Sequence, residues 1–175
     1  MGRPSGAAAW LLLAANLILL VVVWIVSLDV YGQLPPQVAS WSSVWTGQRV
    51  TVAKSWSFFL YPVGQLLFSV AFFAVTRILI VRTPGPAGRE PSPEDRPGPL
   101  RALREEVLYL ALIFFNLMFI HLQTNRILLS RGLGSGINRA YFSGLVLMVI
   151  FILVPYYRIR RRIVLTAKDG PPGPR

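Results

Sequence analysis

Polar side chains that lie within long apolar stretches are the first place to look for chemistry in this sequence, because such groups are costly there and are often functional. The polar residues of this kind are Asn16, Gln65, Asn116, His121, Gln123 and Asn125. Asn116 and Gln123 are seven residues apart, which places them on one helix face; His121 and Asn125, four apart, share a neighbouring face. Two interpretations are open. The residues form hydrogen bonds between helices, at about 0.6 kcal/mol each, or they line a path for a substrate or proton.

The reactions that these residues could take part in depend on which other side chains are available beside them. His121 is the only histidine, and the chain has no cysteine. A zinc site needs three or four nitrogen, sulfur or oxygen ligands, and a nucleophile needs a base with an orienting acid. The apolar runs contain neither set. The sequence therefore predicts no catalytic residues, no metal site, no cofactor and no enzyme activity, and it leaves His121 as a satisfied polar residue or a pH sensor.

The elements that must position these residues are four apolar runs, at about 7–28, 57–81, 103–125 and 140–157. A hydrocarbon layer about 30 Å thick needs about 20 helical residues. Hydrophobic residues make up 54% of the 175 residues. We therefore predict an all-α integral membrane protein, a single domain (1–175) with four transmembrane helices. The first run is longer than the apolar region of a signal peptide, which favours an uncleaved helix.

Orientation follows from the basic residues, which concentrate in cytoplasmic loops. Thirteen of the eighteen lie in the N-terminal segment, between the second and third runs (including the edges of those runs), or after the fourth run. Both termini are therefore predicted to be cytoplasmic. Membrane topology explains the net charge of +11 better than nucleic-acid binding. The predicted partners are the bilayer itself and anionic lipid headgroups at Arg158, Arg160, Arg161 and Arg162.

The segments between the runs differ in character. Residues 29–56 contain Pro35, Pro36 and three tryptophans, and we predict a compact extracytoplasmic cap with a turn at Gly47 and a short strand around Thr51. Residues 83–99 are rich in proline, and residues 168–175 repeat that composition. A disordered cytoplasmic linker and a disordered tail are expected there. The linker would join two helix pairs.

The carboxylates Glu105 and Glu106 follow this linker directly. We expect them near the first turns of the third helix. Arg101 and Arg104 are the basic residues nearest to them and are the expected ion-pair partners.

Two stretches resemble a known family. Leu34-Pro35, Gly47 and Lys54-Ser55-Trp56 leading into Phe58-Phe59-Leu60-Tyr61-Pro62 resemble a bacterial membrane domain of unknown function, found at the N-terminus of SdpI-type immunity proteins and in small stand-alone membrane proteins. The stretch 119–124 is similar to the next hairpin of that family, and the resemblance covers about residues 12–153. Ala39-Ser40-Trp41 replaces the family's P-x-H, and an acid expected three residues after Gly47 is missing. The resemblance implies a multi-pass protein of the bacterial inner membrane.

Two functions follow from these patterns. The first is a partner-binding, sensor or regulatory (immunity-like) membrane protein that acts through its cap, alone or as a homo-oligomer. Its candidate surface is Leu34, Pro35, Trp41, Trp45, Gly47, Lys54 and Trp56. The tryptophans also suit simple anchoring at the membrane interface.

The alternative function is a subunit of a small-molecule transporter or exporter. Transporters place polar residues at broken helices near the midplane. Pro62 and Pro155 are predicted near helix ends instead, which favours the binding function.

Overall fold

The fold is described by a computed structural model that covers residues 5–46, 48, 50–81, 99–133 and 139–168. Five α-helices, two short strands and a 3₁₀ turn make up the described chain. They are α1 (Ser5–Gln33), β1 (Gln37–Ala39), α2 (Trp41–Thr46), β2 (Thr51–Ala53), the 3₁₀ turn (Trp56–Phe59), α3 (Leu60–Val81), α4 (Pro99–Ser130) and α5 (Arg139–Lys168). Gly47, nearly all of the predicted linker and the tail after Lys168 lie outside the described residues.

Four of these helices are long and apolar enough to cross a membrane. The candidate spans are Ala8–Gln33, Trp56–Thr76, Leu103–Ser130 and Ala140–Ile163. Most of the apolar surface of α1 and α5 faces outward, as lipid-facing helices require. The all-α class, with four helices that could each cross a membrane, is therefore confirmed.

The helices are longer than the apolar runs that predicted them. α1 continues to Gln33, so the first residues assigned to the cap are helical. α4 begins at Pro99 and reaches Ser130. α5 continues to Lys168, which places Pro155 inside a helix rather than near its end. Hydropathy marks only the part of a helix that lipid covers, whereas the backbone stays helical until its hydrogen bonds are interrupted.

α4 is the central helix of the bundle. It packs against α1, α3 and α5. α1 packs more extensively on α4 than on α3, although α3 is the next long helix along the chain. The packing among the described residues is therefore organised around α4, which differs from two separate helix pairs.

The stretch between α1 and α3 is folded, and we call residues 34–55 the connecting segment. β1 and β2 pair antiparallel, with Val38 opposite Val52. The Ser43 hydroxyl donates to the Val50 carbonyl at 2.7 Å and accepts from the Val50 amide at 3.1 Å. The strand predicted around Thr51 is confirmed as β2, while β1 and α2 are additional.

The hydrophobic core is concentrated where the connecting segment meets the helices. One buried cluster contains Leu34, Val38, Phe58, Phe59 and Ile127, and a second contains Ala39, Val44, Tyr61, Leu122 and Leu129. Both clusters combine residues from this segment, the start of α3 and the last third of α4. Apolar side chains packed as in the core of a soluble protein therefore hold this end of the bundle together.

The other end of α4 carries a buried carboxylate. Glu106 is 1% exposed, accepts from the Tyr156 hydroxyl at 2.8 Å and forms an ion pair with Arg160 at 3.0 Å. Both partners lie on α5, a pairing that the local sequence did not suggest. The contact fastens α5 to α4.

We predict that Arg160→Gln will destabilise the protein by about 3 kcal/mol, because it leaves the Glu106 carboxylate buried without a cation. The double variant Glu106→Gln/Arg160→Gln should recover part of this loss, since no buried charge remains. Thermal unfolding in detergent measures both variants. Arg161→Gln, on the same helix, serves as the matched control and should change stability by less than about 0.5 kcal/mol. Equal effects of Arg160→Gln and Arg161→Gln would contradict the assignment.

Candidate functional site

A buried arginine joins the connecting segment to α4. Arg126 is 0% exposed. Its Nε donates to the carbonyl of Ala39 at 3.0 Å, and its Nη1 donates to the carbonyl of Ser57. Its guanidinium carbon lies 5.6 Å from the centre of the Phe58 ring. A single cation thereby holds the end of β1 and the start of the 3₁₀ turn together.

Neighbouring hydroxyl groups reinforce this junction. The Ser130 hydroxyl donates to the Arg126 carbonyl at 2.8 Å and accepts from the Ala39 amide at 3.0 Å. The Tyr61 hydroxyl donates to the Trp41 carbonyl at 3.0 Å. The backbone of residues 39–41 is therefore fixed from both α4 and α3.

The tryptophans of this region remain on the surface although their backbone is fixed. Trp41 is 54% exposed, Trp45 is 50% exposed and Trp56 is 83% exposed. The ring of Trp45 contacts Phe142 of α5 edge-on, with centroids 6.3 Å apart. An exposed aromatic surface on a rigid backbone is a feature of interaction sites and of membrane interfaces.

The other four members of the predicted surface do not share one environment. Leu34 is buried in the core, so it is removed from the exposed set. Lys54 is partly buried, because its Nζ donates to the Leu34 carbonyl at 3.2 Å and lies 4.7 Å from the centre of the Tyr31 ring. Pro35 is exposed, and Gly47 is outside the described residues. The surface consists of Pro35 and the three tryptophans.

A second group of functional candidates lies within the bundle. The Asn116 amide donates to Asn16 Oδ1 at 2.8 Å, and its own oxygen accepts from Gln65 at 2.9 Å and from Ser69 at 3.4 Å. Asn16 also donates to the Tyr109 carbonyl at 3.0 Å. This polar cluster connects α1, α3 and α4, and its hydrogen bonds are the interhelical contacts expected of buried amides.

Other buried polar atoms have no partner among the described residues. They are Ser27 Oγ, Gln65 Oε1, both side-chain polar atoms of Gln123, and Arg126 Nη2. Gln123 is 1% exposed. A buried polar atom left without any partner costs about 1–3 kcal/mol.

His121 and Asn125 lie together, as their spacing predicted. The Asn125 amide donates to His121 Nε2 and to the His121 carbonyl, each at 2.9 Å. The imidazole stacks on Tyr141 of α5, with centroids 4.1 Å apart. Within the described residues, no three His, Asp or Glu side chains are grouped to hold a metal ion.

Sequence reasoning missed the two buried charges. Arg126 directly follows the third apolar run (103–125), which indicates a loop residue, and the arginines nearest to Glu106 in sequence are Arg101 and Arg104. A signal was present for Arg126, which is followed by Ile127, Leu128 and Leu129. A charge inside an apolar helix end is usually held by a specific partner.

Comparison of this chain with family models, with curated proteins and with solved structures finds no match. The likeness to the SdpI-type membrane domain therefore stays a prediction.

We predict that Arg126→Gln will destabilise the protein by about 3 kcal/mol or more, because two main-chain carbonyls lose a charged donor. The matched control is Arg131→Gln. Arg131 is exposed, and its contact with Gln33 is long, at 3.4 Å. Loss of its charge should therefore lower the free energy of unfolding by less than about 0.5 kcal/mol. Thermal unfolding in detergent, followed by tryptophan fluorescence, measures both. A change of less than 1 kcal/mol for Arg126→Gln would refute its role as the junction.

We also predict opposite effects for two buried amides on α4. Asn116→Leu removes three hydrogen bonds and should destabilise the bundle by about 1–2 kcal/mol. Gln123→Leu removes a buried amide that lacks partners among the described residues, so stability should be unchanged or should increase. Detergent unfolding of the two variants side by side tests this, and a loss of stability in Gln123→Leu would show that the amide has a partner.

Proposed function

We propose that this chain is a small multi-pass protein of the bacterial inner membrane with both termini in the cytoplasm. The connecting segment forms an extracytoplasmic cap, and its exposed aromatic surface binds a membrane-protein partner in a regulatory or immunity-like role. The chain carries out no catalysis of its own. The helices that pack around α4 carry the cap.

The charge distribution supports this orientation. Arg158, Arg161 and Arg162 of α5 and Arg104 of α4 are exposed at the end of the bundle opposite the connecting segment. At the cap end of the described chain, Arg126 is buried, Lys54 is partly buried and Arg131 is exposed. Since basic residues that face water collect on the cytoplasmic side, the connecting segment belongs on the other side.

The observation that carries the proposal is the combination of a fixed backbone and exposed rings. Arg126, Ser130 and Tyr61 hold the backbone at Ala39 and Trp41, while Trp41 and Trp45 keep half of their surface exposed. A preorganised surface loses little conformational entropy on binding, and tryptophans are enriched at the energetic centres of interfaces.

The transporter alternative is favoured by one specific observation. Ser27, Gln65 and Gln123 place unpaired polar atoms inside the bundle, as a substrate path would. Against it, Asn16, Asn116 and Gln65 use their amides to bind each other, which supports a structural role for the polar cluster. Loss of a transport phenotype in the otherwise stable Gln123→Leu variant would favour the alternative.

The side of the membrane can be determined because the chain has no natural cysteine. In intact spheroplasts, Gln48→Cys in the connecting segment should react with a membrane-impermeant maleimide. Ile163→Cys, exposed near the opposite end of α5, should react only after permeabilisation. The reverse pattern would place the cap in the cytoplasm and refute the proposed topology.

We predict that the double variant Trp41→Ala/Trp45→Ala will reduce recovery of a specific co-purifying membrane protein at least tenfold, as expected for central interface residues. Thermal stability should change by less than about 1 kcal/mol, because both rings are half exposed. Trp10→Ala is the matched control, since Trp10 is 71% exposed on α1 at the other end of the bundle. Equal recovery with both variants would indicate that the tryptophans only anchor the cap at the interface.

A further inference from the structure

A groove between α4 and α5 contains two cavities, which differ in polarity. The first, of about 630 Å³, is lined by Arg158, Arg161 and Arg162 together with apolar side chains that include Val107 and Leu153. The second, of about 260 Å³, has an almost wholly apolar lining. Its walls include Ala111, Phe114 and Met118 of α4 and Phe142, Val146 and Ile150 of α5.

The two cavities lie on the same face of each helix. On α4, Val107 is followed at helical spacing by Ala111, Phe114 and Met118. On α5, Leu153 is preceded by Ile150 and Val146 with the same periodicity. The cavities are therefore successive parts of one groove, basic at one end and apolar along the rest.

The length of the groove matches one leaflet of a membrane. From Val107 to Met118 is eleven residues, or about 16 Å of helix, and half of a hydrocarbon layer is about 15 Å. Val107 is adjacent to Glu106, whose carboxylate is held by Tyr156 and Arg160. The basic end thus lies at the depth of the headgroups, and the apolar part extends to the midplane.

We propose that this groove is a binding site for one anionic phospholipid. Arg158, Arg161 and Arg162 contact the phosphate and headgroup, and one acyl chain lies against Phe114, Met118 and Val146. Charge complementarity favours this occupant. The described side chains lining the first cavity include three arginines and no carboxylate, and Glu106 is already paired with Arg160. The proposal does not rest on the function proposed for the cap surface, although Phe142 of the groove contacts Trp45 edge-on.

Native mass spectrometry of the detergent-solubilised protein tests the proposal with phosphatidylglycerol and phosphatidylcholine of equal acyl length. We expect retention of one phosphatidylglycerol with about a tenfold preference, in line with the attraction of several basic residues to anionic lipid. Arg158→Gln/Arg161→Gln should abolish the preference. The control Arg104→Gln/Arg131→Gln removes the same charge and should retain it. Equal losses in the two double variants would show that only net charge matters, and would overturn the site.

The apolar part of the groove has its own test. Val146→Trp should fill the second cavity and reduce phosphatidylglycerol binding at least fivefold. Leu147→Trp, an equally exposed neighbour outside the lining, should leave binding unchanged. Equal binding by both variants would overturn the acyl-chain contact. If the protein is a dimer that Val146→Trp converts to a monomer, whether or not lipid is present, then a second copy covers the groove. That result would also overturn the proposal.

Discussion

The structure depends on the solvation of one buried cation. A guanidinium removed from water loses several kcal/mol, which only well-placed acceptors recover. Arg126 recovers it from the carbonyls of Ala39 and Ser57 and from the face of Phe58. Ala39 belongs to the connecting segment, and Ser57 and Phe58 belong to the 3₁₀ turn before α3. Solvating the charge therefore requires the segment to fold back onto α4, and the hydrophobic clusters around Val38 and Tyr61 form where it does so.

The second buried charge, Glu106, lies near the opposite end of α4. Glu106 and Arg126 are twenty residues apart on α4, or about 30 Å, which equals the thickness of a hydrocarbon layer. Each charge is neutralised or solvated by partners from another element, Glu106 by α5 and Arg126 by the connecting segment. The interval between them holds the polar cluster around Asn116. α4 thus determines both the depth of the bundle in a membrane and which elements pack at each end.

The sequence predicts the parts of this structure that the bilayer or local spacing determines. Four apolar runs identified the four long helices, and the pairing of His121 with Asn125 followed from helical periodicity. The ion pair of Glu106 with Arg160 joins residues 54 positions apart, and local rules favoured nearer arginines instead. For Arg126 the sequence indicates a loop, because a charged residue ordinarily marks the end of a membrane-spanning stretch. Its partners are main-chain carbonyls, which carry no sequence signal.

The distribution of burial shows that the two ends of the bundle are packed differently. At the cap end, side chains interdigitate as in a soluble protein, so the exposed rings of Trp41 and Trp45 project from a backbone that binding does not need to order. α5 is different, because its candidate span buries 0% of its most apolar window and its interhelical contacts lie mainly along α4. Such a helix needs lipid or protein along its free face. The aromatic surface is held by α4 and α3, and α5 is held mainly by α4. The two are therefore coupled through α4 and through the contact of Trp45 with Phe142.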